Sequence, residues 1–207
     1  MMRLWRDTEG KGNVIKLGGG FYCGKFPPNN SNTKTEQKPY YILNAFFLSM
    51  KSQYTKPNTS ITVYEIEWDS ADLSWADFRS KFIGCTDPSV AVKGSVRNLL
   101  YRGWKTFGLV GRPDKGENGV HASASPLEGM SERCNWLGRS LDDDTLAKEL
   151  KKVGIKRKEL VEWCRDPRVT IGVDEDGTVR EGGLFDAVED LDMADCLARL
   201  IAIKKLN

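Results

Sequence analysis

The sequence predicts an α+β fold, in which short strands and helices are mixed and the last third of the chain is mainly helical. Residues 60–68, SITVYEIEW, alternate between two faces and are rich in β-branched and aromatic side chains, which predicts a strand. Residues 126–137, PLEGMSERCNWL, start with a proline at a position typical of the first helical residue, which predicts a helix. Residues 169–183 predict a strand or a hairpin that turns at Asp176 and Gly177.

The beginning of the chain predicts loops, followed by a strand and a helix. Residues 1–39 are rich in Gly, Pro, Asn and other polar residues, with VIKL and GFYCGKF as short runs that contain apolar side chains. This composition predicts mostly loop with one or two short strands. The next segment, YYILNAFFLSMKSQY, begins like a strand and continues at helical spacing through Phe46, Phe47, Met50 and Tyr54.

The other elements are predicted to be helices. A helix capped by Asp69 or Ser70 is predicted to end at Gly84, because glycine commonly ends helices. Ser125 precedes the proline of the helix over 126–137 and is its natural N-cap. Further helices are predicted over 96–107, 142–153, 156–165 and 184–204.

Differences in composition and periodicity divide the chain into three segments. Residues 1–39 form a loop-rich N-terminal segment, residues 40–138 a domain dense in apolar side chains, and residues 139–207 a mainly helical C-terminal extension. At roughly 100 to 200 residues per domain, a chain of 207 residues can bury a real hydrophobic core.

Charge and composition exclude several classes of protein. The 31 Lys plus Arg against 29 Asp plus Glu give a net charge of +2, which supplies no broad cationic field for coating nucleic acid. Five dispersed cysteines without a CxxC pair predict reduced thiols, and a single histidine argues against a multi-histidine metal centre. No run approaches the ~20 apolar residues of a membrane helix, so we expect a soluble, intracellular and by default cytoplasmic protein, with organelle import as the alternative.

The single histidine, His121, lies in the string NGVHASAS, directly before the helix over 126–137. Backbone N–H groups at a helix start and the helix dipole both favour an anion, so this junction suits phosphate. An ordinary, partly buried histidine in a turn is the alternative interpretation of the same string.

Four separated pieces of the sequence resemble the nucleoside diphosphate kinase family, over roughly residues 40–137. NGVHASAS is similar to that family's active-site signature, in which an asparagine stands three residues before a phosphate-accepting histidine. GCTDP and KGSVR resemble the turns that begin and end another family segment, and the interval from Thr86 to Arg97 equals the family's own. The interval from His121 to Glu132 does so too. The resemblance implies a ferredoxin-like antiparallel sheet covered by helices.

The resemblance also implies phosphoryl transfer between nucleotides. His121 would attack the γ-phosphate of ATP or another nucleoside triphosphate, hold it as phosphohistidine and pass it to a nucleoside diphosphate. Glu132 would hold the ring nitrogen that does not attack, Ser125 would support that carboxylate, and Ser123 would assist the phosphoryl site. Mg²⁺ would arrive on the nucleotide phosphates rather than in a protein cage.

A set of nucleotide-binding residues is implied in the same way. Thr86 and Arg97 would contact the phosphates, and Asn118 would reach the sugar and the terminal phosphate. The candidates in the first part of the chain are Lys16 for the phosphates and, for the base and ribose, Tyr41 and Phe46.

The sequence also departs from the family. The family's first strand, lysine-proline-aspartate turn and long helix have no counterpart in residues 1–39, where LGGG follows Lys16. An arginine that the family places six residues before the threonine is Ser80 here, with Arg79 one position away, and Ala124 stands where an aspartate is usual. These departures favour the alternative, a catalytically weak or inactive kinase-like binding or structural subunit of a homo-oligomer or a larger assembly.

Overall fold

The computed structural model describes residues 13–18, 21–26, 38–43 and 46–207. They belong to two compact units, Met1–Thr62 and Val63–Asn207. Small antiparallel sheets and several helices make this an α+β protein, as the sequence predicts. None of the described helices combines the length and the apolar character needed to cross a membrane. The three-segment division of the sequence stays a prediction.

The first unit contains a three-stranded antiparallel sheet and a helix. The strands β1 (Val14–Gly18), β2 (Phe21–Phe26) and β3 (Tyr40–Leu43) lie in the order β1-β2-β3, and helix α1 (Phe46–Thr55) follows. Cys23 on the central strand is paired with Ile15 on one side and with Leu43 on the other. The short strands predicted in the N-terminal segment, and the strand and helix predicted after it, are therefore confirmed.

The second unit is mainly helical and contains a hairpin. Its elements are helix α2 (Trp75–Asp77), a π-helix (Phe78–Gly84), α3 (Val96–Gly103), α4 (Pro126–Leu137), α5 (Thr145–Lys152), α6 (Arg157–Trp163), strands β4 (Arg168–Val173) and β5 (Val179–Gly183), a 3-10 helix (Asp186–Val188) and α7 (Met193–Leu206). The predicted hairpin is confirmed, and Gly177 in its turn has a φ of 84°, which glycine adopts without strain. The helices predicted over 96–107, 142–153 and 156–165 are confirmed as α3, α5 and α6, each shorter than predicted.

Helix α4 begins and ends where the sequence predicts. Ser125 Oγ accepts a hydrogen bond of 3.2 Å from the backbone N–H of Glu128, and Pro126 occupies the first helical position, where no N–H is needed. Gly138 ends the helix with a φ of 64°. The first residue of α4 is therefore fixed, and with it the direction of the side chains on the first two turns.

The hydrophobic core of the second unit joins α4 to the C-terminal extension. Leu127 and Met130 of α4 are fully buried in one cluster with residues of the extension. The fully buried leucines that the extension contributes are Leu146, Leu150, Leu160, Leu184 and Leu200. Burying each such side chain stabilises the fold by about 1.5–3 kcal/mol. Helix α4 is thus anchored in the core through its apolar face. The polar residues on its first turns are not part of this core and can contribute to a functional site.

The strand predicted over residues 60–68 is wrong. The segment has no ladder of hydrogen bonds to another described strand, and its side chains are exposed, with Tyr64 79% and Ile66 54% accessible. Alternating β-branched and aromatic residues suit a pleated, half-buried surface, and such a surface exists only where neighbouring strands supply it. Trp68 anchors the end of the segment, because its ring stacks on that of Phe78 with 4.5 Å between centroids.

Two predicted helix starts are also wrong. Asp69 Oδ1 accepts the N–H two residues later at 2.8 Å and forms a turn, whereas Ser74 caps α2 by accepting the N–H three residues later at 3.1 Å. The helix predicted over 184–204 begins only at Met193. The physical reason is Asp190, whose φ of 61° is left-handed and cannot continue a right-handed helix.

Candidate active site

The site residues of the second unit meet at the start of helix α4. The loop over residues 118–125 leads into the helix, and Glu128 and Glu132 stand four residues apart on its first two turns. Residues at this spacing lie on one face of a helix. Both side chains make contacts with the loop that carries His121.

One carboxylate holds the imidazole of His121. Its Nε2 lies 2.5 Å from Glu132 Oε1, and the other carboxylate oxygen, Oε2, accepts a hydrogen bond of 2.5 Å from Ser123 Oγ. Because a carboxylate only accepts, this contact assigns the proton of the neutral ring to Nε2. Among the residues that the structure describes, none is hydrogen-bonded to Nδ1, and the side chain is 59% exposed. The lone pair of Nδ1 is therefore available.

The pKa values of this pair shift in opposite directions. The hydrogen bond with Glu132 raises the pKa of His121 above 6.5, and the charges of Glu132 and Glu128 add to that effect against burial. Burial alone would raise the pKa of Glu132, but the hydrogen bonds from His121 and Ser123 bring it below 4.5. Each group thus stabilises the charged form of the other.

Ser123, not Ser125, makes the contact with Glu132 that the resemblance implies for Ser125. Ser125 is predicted to support Glu132, and this is wrong, because its hydroxyl caps α4 and accepts from a backbone N–H. An N-cap side chain turns toward the free N–H groups of its own helix. Ser123, two residues earlier in the loop, reaches the carboxylate of Glu132 instead.

A second carboxyl group at the site, that of Glu128, was not predicted from the sequence. Its Oε2 accepts a hydrogen bond from the backbone N–H of Ala124. Burial, followed by the charge of Glu132, raises the pKa of Glu128. The spacing Ser125-x-x-Glu128 is that of a capping box, and this signal could have found it. Atoms of His121, Glu128 and Glu132 lie within 4.8 Å of one another, so these three residues offer nitrogen and oxygen ligands for a divalent cation.

Arg97 joins the π-helix to the histidine loop. Its Nη1 donates to the carbonyl of Gly84 at 2.7 Å, and its Nη2 donates to that of Val120 at 2.9 Å. Its Nε is buried and has no hydrogen-bond partner in the described part of the chain. Burial and the charge of Arg79 lower the pKa of Arg97. A buried donor on a guanidinium, beside a second cation, suits an anion.

Thr86 and Asn118 lie on adjacent loops. The side-chain Nδ2 of Asn118 donates to the backbone carbonyl of Thr86 at 3.5 Å. The turn after Thr86 is held by Asp87, whose Oδ1 accepts from the backbone N–H of Ser89 at 3.0 Å and from its hydroxyl at 2.6 Å. The structure therefore brings together two of the residues that the resemblance assigns to the nucleotide.

Arg79 lies on the π-helix, and sequence reasoning assigns it no role. Its Nη1 pairs with Glu189 Oε1 at 2.9 Å and with Asp190 Oδ1 at 2.5 Å. Although burial lowers it, the pKa of Arg79 is raised by its hydrogen bonds with these two carboxylates. The partners are separated by 110 and 111 positions in the sequence, so no local pattern could have revealed them.

The C-terminal extension also contacts the histidine loop directly. The backbone N–H of Asp190 donates to the carbonyl of Ala124 at 2.9 Å. Trp75 donates from its backbone N–H to Asp192 Oδ1 at 2.7 Å and from its ring Nε1 to the carbonyl of Ser123 at 2.9 Å. The backbone next to His121 is therefore held both by the extension and by helix α2.

Three predicted site residues belong to the first compact unit. Lys16 lies in β1, Tyr41 lies in β3 with an exposed side chain, and Phe46 begins α1. His121 belongs to the second unit. The part of these three residues in the site stays a prediction.

This arrangement has the groups needed for nucleophilic chemistry at a phosphate. They are an imidazole held at one nitrogen and available at the other, two guanidinium groups, and a loop that leads into a helix start. In comparisons with known proteins, no family model, no curated protein and no solved structure matches this chain.

Proposed function

We propose that the protein is a nucleoside diphosphate kinase-like phosphotransferase that works through phospho-His121. The observation that carries the proposal is the 2.5 Å contact between Nε2 and Glu132, which leaves Nδ1 as the nucleophile. In the first half-reaction, Nδ1 bonds to the γ-phosphorus of a nucleoside triphosphate, and the bond from that phosphorus to the bridging oxygen breaks. The nucleoside diphosphate leaves with the electron pair. The second half-reaction reverses these steps on another nucleoside diphosphate.

Glu132 compensates the positive charge that develops on the ring as Nδ1 forms its bond to phosphorus. The Nε2 proton stays in its hydrogen bond to this carboxylate throughout, so the ring keeps its orientation. Ser123 holds the second carboxylate oxygen and prevents Glu132 from turning away. Glu132 and Ser123, which lie within eleven positions of His121, thus control the position of the Nε2 proton and the orientation of the ring.

Arg97 and Arg79 are the cations that we assign to the phosphates. Arg97 has a buried Nε without a partner among the described residues, and an anion would complete its hydrogen bonding. Arg79 stands seven residues before Thr86, one more than the family's interval. A π-helix has i to i+5 hydrogen bonds and takes up one additional residue in a turn. The π-helix over 78–84 therefore supports Arg79 as the counterpart of the family's arginine.

Mg²⁺ would neutralise charge on the nucleotide phosphates during transfer. The described residues fit an ion that arrives with the nucleotide, because the carboxylates of Glu128 and Glu132 are already hydrogen-bonded within the chain. We assign ATP, or another nucleoside triphosphate, as the phosphate donor.

We infer the finer fold on the same grounds. Within residues 40–138, the order of the elements around the site supports a nucleoside diphosphate kinase-like arrangement; the one described strand of this range, β3, pairs with β2 outside it, so that support does not extend to a ferredoxin-like sheet. A helix ends at Gly84 just before Thr86, and the histidine loop leads directly into α4, which carries Glu132.

A nucleotide-binding or structural subunit without phosphotransfer is the second candidate. One observation favours it, namely that both cations are engaged within the chain. Arg97 donates to two backbone carbonyls, and Arg79 is paired with two carboxylates. Such a subunit would act in a homo-oligomer or a larger assembly.

The decisive test is formation of phosphohistidine. The purified protein is incubated with γ-labelled ATP and Mg²⁺, and we expect acid-labile, base-stable label that is released by added nucleoside diphosphate. His121→Asn should abolish the label, because the chain has one histidine. Asn135→Ala, on the exposed side of α4, is the control and should keep it. No label on the wild-type protein, while a control kinase is labelled, would reject phosphotransfer in favour of the second candidate.

A further inference from the structure

An acidic loop, residues 189–192, connects the 3-10 helix to α7 and lies against the site. Its backbone is anchored by the hydrogen bond from the N–H of Asp190 to the carbonyl of Ala124, at 2.9 Å. At its far end, Asp192 Oδ1 accepts a hydrogen bond of 2.7 Å from the backbone N–H of Trp75. These anchors do not use the carboxylates of Glu189 and Asp190. The loop therefore holds both carboxylates in place and leaves them able to pair with a cation.

Both carboxylates converge on Arg79. Glu189 Oε1 lies 2.9 Å and Asp190 Oδ1 lies 2.5 Å from the same nitrogen, Nη1. The side chain of Arg79 is 27% exposed, and those of Glu189 and Asp190 are each 48% exposed. Because both carboxylates are about half exposed, water screens these ion pairs and another anion has access to them.

Arg79 stands beside the proposed phosphate site. Asp190 connects it to Ala124, three residues after His121, and the π-helix that carries Arg79 ends at the carbonyl that accepts from Arg97. The two carboxylates together carry two negative charges, and a phosphate monoester carries about 1.5 to 2 at pH 7. The loop therefore offers Arg79 about the same charge as a terminal phosphate would.

We propose that the acidic loop competes with the ligand's phosphate for Arg79, so that Glu189 and Asp190 are resting counter-ions which a nucleotide phosphate displaces. This inference rests on the proposed function, because the ligand is the nucleotide. Its consequence is selection by charge. A phosphate dianion replaces both carboxylates with one group, whereas an anion of lower charge leaves Arg79 with the loop.

The experiment measures the dissociation constant of Mg·ADP by calorimetry for the wild-type protein and for Glu189→Gln with Asp190→Asn. These substitutions keep the size of each side chain and the N–H that binds Ala124, and asparagine tolerates the left-handed φ of 61° at position 190. Removing both charges should tighten binding about threefold to tenfold, the range expected for the loss of two exposed competing ion pairs.

Two controls isolate the competition. Asp142→Asn with Glu149→Gln removes two carboxylates that pair with Lys151 and Lys152, and it should leave the dissociation constant unchanged. Repeating the loop substitutions in an Arg79→Gln background should remove their effect, because the competition requires that guanidinium.

Tighter binding that depends on Arg79 supports the inference. Equal tightening with and without Arg79 would show a general charge effect and overturn it, as would unchanged or weaker binding. Thermal unfolding shows whether each variant is folded, and if the double variant is not, Glu189→Gln alone must tighten binding in the same direction. If the wild-type protein does not bind Mg·ADP, the proposed function fails. Titration with inorganic pyrophosphate then decides the inference separately, since it too must bind more tightly to the loop variant only when Arg79 is present.

Discussion

Helix α4 and the segment over residues 60–68 are stabilised in opposite ways. Helix α4 satisfies a backbone donor through the cap at Ser125 and buries Leu127 and Met130 completely. The segment over 60–68 belongs to no described helix or strand, exposes most of its apolar side chains, and is held at its end by the ring of Trp68.

The candidate catalytic residues lie at helix α4 and not in the segment over 60–68. His121 is fixed by Glu132, which is carried on a helix whose opposite face is buried in the core. A reacting group must be held within a fraction of an ångström of its working position, and helices and strands achieve this better than exposed, irregular chain. The candidate site is therefore located at the element that is both capped at its start and packed on the core.

Truncation in α4 should show the largest effect of this contrast. Leu127→Ala removes a fully buried side chain and leaves a cavity, so we expect the free energy of unfolding to fall by about 2–5 kcal/mol. Ile66→Ala is the matched change in the exposed segment and should alter it by less than about 0.5 kcal/mol. Urea unfolding of both variants measures the two values, and a similar loss in both would break the contrast.

The sequence predicts those parts of the molecule whose signals and partners lie close together in the chain. Ser125 caps a helix whose first N–H groups are within three residues, and Gly177 turns a hairpin whose strands adjoin it. The pair of His121 and Glu132, which is implied by the resemblance, also lies close together in the chain, because one loop and two helical turns separate the two residues.

The parts that depend on distant partners could not be predicted. Residues 60–68 carry a strong strand pattern, but the pattern does not specify a partner strand. Arg79 finds its carboxylates in Glu189 and Asp190, more than a hundred positions away. A contact between residues so far apart in the chain depends on the whole fold, and the local spacing of residues does not indicate it. The contact of Ser123, rather than Ser125, with Glu132 shows a finer limit, because spacing alone does not say which hydroxyl reaches a carboxylate.

Removal of the helix cap should have an intermediate effect. Ser125→Ala deletes the hydroxyl that accepts from the backbone N–H of Glu128, and because Ser125 is buried, water cannot easily replace it. We expect a loss of about 0.5–2 kcal/mol in the free energy of unfolding. Ser60→Ala, on an exposed position of the segment over 60–68, should change it little. Equal effects of the two alanines would mean that the cap does not stabilise α4.

The smallest effect concerns protonation, and its sign follows from the two pKa shifts. The pKa of His121 is raised, so the stability it contributes is fully present below pH 6.5 and is lost as the pH rises through the folded value. The pKa of Glu132 is lowered, so its contribution is present above pH 4.5 and is lost as the pH falls through the folded value. The pair therefore stabilises the fold most between pH 4.5 and 6.5. Water screens the half-exposed imidazole, which keeps the contribution small.

The same shift makes a prediction for reactivity, because Nδ1 attacks only when it is unprotonated. The rate of labelling by γ-labelled ATP should rise with pH through a midpoint above 6.5. Glu132→Gln removes the carboxylate that raises the pKa of His121, so the midpoint should move down toward 6.5 while the maximal rate falls. Glu65→Gln is the matched control in the segment over 60–68, where Glu65 pairs with Arg139 at 2.7 Å, and it should leave the midpoint in place. A midpoint that does not move in Glu132→Gln would show that this carboxylate does not control the protonation of the nucleophile. A midpoint that moves equally in Glu65→Gln would show that the exposed segment affects the site as strongly as α4 does.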